Sequence, residues 1–415
     1  MIITSEVYEN RRRELINRIP EGSAVFLFAG KGRPMSQDTD YRFLPDRNFF
    51  YLTGLTYEDG RLVIIKEKDG SSRQMLFALK QSEIVERWHG KRVPFEVLSR
   101  ISGIAPENIF DVEEFDEKVY DLLREYEVLI DGTSIASEVS SFSSSCEVYG
   151  DVGPSLTDMR MVKSQEETDA IVEAAVITEE AIDEMKTLIR PGVTELMLYT
   201  KLEYEMARRG SLIPAFSTIV SIGTNSFYLH HSEPEDASGE VAKKGDIIQI
   251  DVGARCMGYC ADISRVFIVG VPDDEEEASR RQKLLTLIRT LRKRAFEFIA
   301  PGQTFTTLNQ EMRRITGEYL TEWGLLKKDH TDEDVKAYYW HNTSHHMGLD
   351  VHDICEREKP FTEGNCLAVE PGVYIKEWGI GFRIEDDVAV TSDGCRLLSS
   401  GLDSDESVYV KGSDI

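Results

Sequence analysis

Five side chains in the C-terminal half of the chain could share one chemistry: Asp251, Asp262, His345, Glu370 and Glu385. Each sits in a short phrase of its own: Ile250-Asp251-Val252-Gly253, Ala261-Asp262-Ile263-Ser264-Arg265, Thr343-Ser344-His345-His346-Met347-Gly348, Val369-Glu370-Pro371-Gly372 and Arg383-Ile384-Glu385-Asp386. Four carboxylates and one imidazole suit hard or borderline divalent ions such as Mn²⁺, and a carboxylate can bridge an ion pair. Two ions held this way make a hydroxide nucleophile near neutral pH and polarise a carbonyl, which is the chemistry of a hydrolase. A lone Asp or Glu is ordinarily a solvated surface group. Four of the five instead border apolar, β-branched runs at 247–250, 263–269, 367–369 and 388–390. A carboxylate on a buried strand is costly unless it is paired or bound to a cation. Structural ion pairs remain the alternative explanation of that pattern.

The elements that must position these groups show punctuation that occurs twice. Ser164 with Glu167 reads as a capping box that opens a long helix, and Ile171, Ala175, Thr178, Ile182, Met185 and Ile189 give it one buried face. Arg190-Pro191-Gly192 stops that helix, and Thr194 can cap the next, which runs to Gly210. Leu188 to Thr194 is echoed by Phe298 to Thr304, and the Asp251 and Asp262 phrases are echoed by those of Glu370 and Glu385. Helix, Pro-Gly turn, helix and two acid-bearing strands therefore recur. A duplication about a pseudo-two-fold axis would bring both acid pairs to one central sheet. Glycines between Asp251 and Asp262 suit a hairpin that sets the two aspartates side by side.

At 415 residues the chain exceeds the usual single core, so two domains are expected, and 41% hydrophobic residues supply both. Over residues 1–155 short apolar runs alternate with helical patterns, which predicts an α/β domain with a mixed sheet. Candidate strands are 24–28, 49–53, 62–65, 75–79 and 128–130, and candidate helices lie near 7–18 and 114–126. The serine-rich stretch Ser134 to Ser145 reads as a mobile segment or a loose helix. The pattern breaks at Gly150-Asp151-Val152-Gly153-Pro154. Forty-eight basic against 74 acidic residues give a net charge of −26, which argues against nucleic-acid binding. The acidic runs Asp273 to Glu277 and Asp403 to Glu406 read as solvated loops or helix starts. No stretch has the length of a membrane span and no secretory signal is visible, so a cytoplasmic location is expected. The six cysteines lack paired zinc-ribbon spacing, and reduced residues are expected.

The ordered set Asp251, Asp262, His345, Glu370, Glu385 resembles the ligand set of the creatinase/aminopeptidase, or pita-bread, metallopeptidases. Tyr41-Arg42, the run from Asn48 to Gly54, and Arg87-Trp88-His89-Gly90-Lys91-Arg92 resemble the N-terminal domain of the aminopeptidase P branch. The resemblance implies an α/β domain over 1–155 that walls the cleft and makes oligomer contacts. It implies an α+β pita-bread catalytic domain over 160–415, with a pseudo-two-fold, curved antiparallel sheet backed by helices. The activity implied is a metallo-exopeptidase that hydrolyses the bond before proline at a peptide N-terminus through a metal-bridging hydroxide, in a homodimer or homotetramer. Two divalent ions per chain are implied, Mn²⁺ first, with Co²⁺, Zn²⁺ or Fe²⁺ able to use the same ligands.

By the same resemblance Asp262 and Glu385 bridge the ions, Asp251 completes one, and His345 and Glu370 complete the other. Glu370 also shuttles the proton from water to the leaving nitrogen. His352 holds the substrate carbonyl, His230 contacts the tetrahedral centre and His341 lines the proline pocket. Arg383 faces the substrate. Tyr374 is a second pocket candidate from its place beside the metal phrases, with strand packing as its alternative. His231 and His346 are expected to be incidental neighbours. The choice of His345 over His346 rests on spacing to Gly348 and His352, and at His346 the relatives often carry tryptophan. A prolidase acting only on Xaa-Pro dipeptides is the nearest rival, and a non-catalytic pita-bread binding protein the remote one. Methionine aminopeptidase is disfavoured by the N-terminal domain and creatinase, which works without metal, by the intact ligand set.

Overall fold

The structure is a computed structural model that describes residues 3–80, 82–231, 239–402 and 409–410. The acidic run Asp403 to Glu406 lies outside them. The chain divides into two compact units, one ending at Met159 and the other starting at Arg160.

The first unit is built on strands Ser23–Phe28 (β1), Arg61–Lys66 (β2), Ser72–Ala78 (β3), Ile109–Asp111 (β4), Glu127–Ile130 (β5) and Gly150–Asp151 (β6), in the order β4-β3-β2-β1-β5-β6. The β1–β2–β3 core is antiparallel while β4, β5 and β6 join in parallel, so the sheet is mixed. Phe26, Phe28, Phe77, Phe115 and Phe142 fill one face of it.

The run 49–53 is not a strand. Arg47–Thr53 is helical because Asp46 caps it, accepting from the Asn48 and Phe49 N–H groups at 2.9 and 3.1 Å, and Gly54 closes it at φ 70°. An unbroken apolar run carries no period that separates helix from buried strand, so the caps decide. The segment 114–126 likewise breaks into Phe115–Val119 and Leu122–Glu125, and the serine-rich stretch holds a helix over Ser137–Ser143. Gly54 offers a direct stability test. A Cβ there would sit 2.4 Å from the Tyr8 ring at a backbone angle that L side chains rarely adopt. Gly54→Ala is expected to cost about 2–5 kcal/mol in denaturant unfolding, from left-handed strain plus overpacking.

The second unit repeats one motif. Ser164 and Glu167 form a reciprocal capping box on the helix Gln165–Lys186, whose Ile171, Ala175, Thr178, Ile182 and Met185 are buried. Thr194 caps Glu195–Arg208. Strands Ile219–Ile222 (β7), Ile247–Val252 (β8), Arg255–Cys256 (β9), Tyr259–Cys260 (β10) and Ile263–Val269 (β11) follow. Asp274 then caps Glu275–Phe298, so the acidic run at 273–277 is a helix start, and Thr304 caps Phe305–Glu322. Strands Ser344–His346 (β12), Cys366–Val369 (β13), Gly372–Ile375 (β14), Ile380–Arg383 (β15), Asp386–Val390 (β16), Cys395–Leu397 (β17) and Tyr409–Val410 (β18) complete the unit.

Two four-stranded sheets result, β18-β11-β8-β7 and β12-β13-β16-β17, each with an antiparallel pair or triplet at its centre. The echoed turns match in detail. Gly192 and Gly302 both sit at φ 90°, and their N–H groups donate to Ala242 O at 2.8 Å and Phe361 O at 2.9 Å. Each helix pair packs on its own sheet. The Glu385 N–H donates to Ser264 O at 3.1 Å and stitches the two halves together. Among the described residues no helix is long and apolar enough to cross a membrane.

Candidate metal centre

Register brings the acids together. Asp251 on β8 pairs with Ser264 on β11, and Asp262 lies two residues before Ser264, so alternation puts both aspartates on one face as diagonal rather than directly opposed neighbours. The β9–β10 hairpin between them turns through Met257 at φ 50° and Gly258 at φ 90°, the two left-handed residues of a tight hairpin turn. In the other half His345 pairs with Ala368, and Val369 pairs with Ser344 and Asp386. The next rung holds Glu370, whose N–H donates to Thr343 O at 2.7 Å, beside Glu385. His345, Glu370 and Glu385 therefore share a face.

His345 Nε2 lies 3.4 Å from Asp262 Oδ2, 3.8 Å from Glu385 Oε1 and 3.9 Å from Glu370 Oε1. Asp262, His345 and Glu385 each bring one donor atom within 4.8 Å of the others. Asp251 is held by Arg383, whose Nη2 donates to its Oδ2 at 2.7 Å. Asp251 Oδ1 and Asp262 Oδ1 are buried without a protein partner. Burial, then the Glu385 carboxylate, raises Asp262 well above the usual carboxylate range, and the same two causes raise Glu370. Burial opposes charge on His345, but Asp262 and Glu385 outweigh it and raise its pKa. Crowded, partly orphaned carboxylates around one imidazole are the environment a divalent cation satisfies, and the oxygen-rich set fits such an ion.

All five line a cavity of about 740 Å³, together with His230, His341, His352 and Arg383. Phe216, Ile219, Leu229 and Val351 supply apolar wall. His341 Nδ1 donates to Asn342 O at 2.9 Å and lies 3.4 Å from Glu370 Oε2; burial, then Arg383, lowers its pKa to about 4. The His352 ring stacks on His345 at 3.9 Å and 15°, and burial, then His345, lowers it to about 4. Both rings are thus neutral at pH 7, each with one N–H donor.

Tyr374 is not among the residues that line the cavity. It is 2% exposed behind the wall, its ring stacked on Trp340, with its hydroxyl 3.1 Å from His341 Nε2 and accepting from Arg383 Nη1 at 3.0 Å. A tyrosine in strand β14 with a buried hydroxyl finds polar partners, and here they are the two residues in front of it. Arg383 likewise spends its guanidinium on Asp251, Tyr374 and Ser264 Oγ. Gln249, unremarked in the sequence, clamps Arg383 by accepting from its N–H at 2.9 Å and donating to its carbonyl at 3.1 Å. A glutamine inside the otherwise apolar run 247–250 was the available signal. Asp387 is a further such residue, its Oδ2 accepting from the Asp262 N–H at 3.2 Å.

His346 borders the same cavity as His345, but its ring meets different neighbours. His346 packs edge-on to Phe305 at 5.4 Å, and His231 lies 3.2 Å from Glu195. His345→Ala is expected to lower metal affinity by more than the roughly 10–100-fold that second-layer changes cost, measured by metal titration. His346→Ala is expected to lower the unfolding temperature with little change in affinity. The opposite ranking would show that His346 is the ligand.

Residues 169–392 match the family described as Metallopeptidase family M24, and residues 8–130 match the N-terminal domain of aminopeptidase P. The Xaa-Pro aminopeptidase of Escherichia coli (strain K12) is 27% identical over 96% of this chain and 96% of its own length. The Xaa-Pro dipeptidase of Pyrococcus furiosus is 31% identical over 69% of this chain and 77% of its own. A solved structure of Escherichia coli aminopeptidase P superposes with a TM-score of 0.89 at 26% identity, covering 97% of this chain and 96% of that one. A family match over most of the second unit, on the segment that carries all five crowded donors, settles the affiliation: this chain belongs to metallopeptidase family M24.

Proposed function

We propose that this chain is an aminopeptidase that removes the first residue of peptides with proline in second position. The observation that carries the reading is the convergence of five metal-type donors on one cavity, in a chain whose N-terminal segment matches that of aminopeptidase P. Asp251, Asp262, His345, Glu370 and Glu385 would hold two divalent ions, and the oxygen-rich set favours Mn²⁺. When bound, the ions supply an acidified water and positive charge for the carbonyl oxygen.

The chain's own residues do the rest. Glu370 takes a proton and returns it to the leaving nitrogen, which in an Xaa-Pro bond carries no hydrogen. Neutral His352 donates a hydrogen bond to the substrate carbonyl, and His230 meets the developing tetrahedral centre. His341, fixed by Asn342 and Tyr374, shapes the pyrrolidine pocket, while Arg383 holds Asp251 in place. A dipeptidase reading is favoured by the Pyrococcus furiosus relative, which aligns with a smaller share of this chain. Turnover of Ala-Pro-Ala beside Ala-Pro by Mn²⁺-loaded protein tests both, since a dipeptidase takes only the second.

A further inference from the structure

Residues 347–355 carry His352 and form neither helix nor strand. A loop of that length ordinarily leaves its side chains loosely placed. This one is pinned by buried charge. Asp353, the residue after His352, is 6% exposed and both its carboxylate oxygens are engaged. Oδ1 accepts from Arg160 Nη2 and from the Asp350 N–H, and Oδ2 accepts from Lys163 Nζ at 3.0 Å. Arg160 and Lys163 are themselves buried, and Asp350 lies 3.8 Å from Arg160 on its outer side. Burial alone would raise the Asp353 carboxyl, and the two cations outweigh it and lower it.

The cluster is tied to the metal wall on both sides. The Asp353 N–H donates to His346 O at 2.9 Å, next to His345, and Gly348 O accepts from the Cys260 N–H at 2.8 Å, two residues before Asp262. At Gly348 a Cβ would lie 2.3 Å from Asp353 Oδ2 and 2.9 Å from Lys163 Cε, so only glycine lets the loop close over the charges. The cations are anchored in turn, Lys163 N–H donating to Gly364 O at 2.8 Å and Asn365 Nδ2 to Met161 O at 3.0 Å. A buried charge cluster is a poor device for stability alone, because apolar residues of the same volume would serve the fold as well or better.

We propose that Arg160, Lys163 and Asp353 are positioning residues that set the His352 ring against His345 for contact with the substrate carbonyl. The inference rests on the role given to His352 above. Asp353→Asn keeps the shape and removes the charge; Lys163→Met is the gentler variant, leaving the Arg160 bond. The test is a double-mutant cycle of each with His352→Ala, in Mn²⁺-loaded protein on Ala-Pro-Ala below the variants' unfolding temperatures. Asp353→Asn is expected to lower kcat by about 30–100-fold with KM nearly unchanged, the scale of a small misplacement. In the His352→Ala background the same substitution should change kcat by less than about threefold, because the two residues act as one unit. Lys163→Met should show the same coupling at smaller size. Bound metal should stay constant, and in metal-free protein the His352 ring ¹⁵N signals should shift or broaden in both single variants. A loss of kcat that persists in full without His352, or ring signals that do not move, overturns the proposal. An unchanged kcat in His352→Ala alone overturns the role of His352 itself, and is read from that single variant.

Discussion

Replacing Asp262 or Glu385 with alanine is expected to abolish metal retention and hydrolysis together while the fold survives. Both carboxylates are buried, 4% and 2% exposed, and Asp262 Oδ1 has no protein partner. Each faces like charge, which with burial pushes Asp262 strongly toward its protonated form. In the metal-free protein these groups therefore oppose one another, and deleting one relieves repulsion as well as removing a packed side chain. Metal-free Asp262→Ala should accordingly unfold at a temperature close to that of the metal-free parent. Added Mn²⁺ should stabilise the parent by mass action and the variant little. Turnover should fall roughly 10³-fold or more, because several kcal/mol of transition-state stabilisation depend on the ions. Elemental analysis, thermal unfolding with and without Mn²⁺, and a peptide assay read all three. A variant that keeps two ions per chain and near-normal turnover would remove the assignment.

The second large effect is the requirement for proline. Ala-Pro-Ala should be cleaved by the Mn²⁺-loaded enzyme with kcat/KM about 10²-fold above that for Ala-Ala-Ala, within the range a shaped pocket can discriminate. The bond before proline is a tertiary amide, so its nitrogen must be protonated as it leaves and its ring must be accommodated. On the proposed roles, Glu370 on the cavity wall would serve the first task and His341, 3.4 Å from it, the second. Chelation should remove both activities, and Mn²⁺ should restore them. Equal rates on the two tripeptides would leave a general metallo-aminopeptidase and refute the specificity.

Much of the framework was legible because it depends on near neighbours. Ser164 with Glu167, Thr194 and Thr304 cap helices where their spacing says they should. The Pro-Gly echo announced two halves of like construction, and Gly192 and Gly302 adopt the same φ. The acids stood out because carboxylates beside β-branched runs must find a partner. Where periodicity is silent, reading failed: residues 49–52 are uniformly apolar, and the Asp46 cap with the Gly54 stop makes the segment a helix.

What only the tertiary structure decided is who meets whom across long separations. Arg160 with Asp353, Gln249 with Arg383 and Tyr374 behind His341 are contacts between segments whose types say nothing about pairing. The choice between His345 and His346 is of the same kind. One step along a strand reverses the face, so a single register sets one imidazole among the carboxylates and the other against Phe305. The sequence by itself determined the four candidate carboxylates, the helix caps and the duplicated plan, because local backbone chemistry and the cost of a buried charge are written in neighbouring residues. The packing around those donors was decided only in three dimensions, because strand pairing and side-chain facing are properties of segments brought together by the whole core.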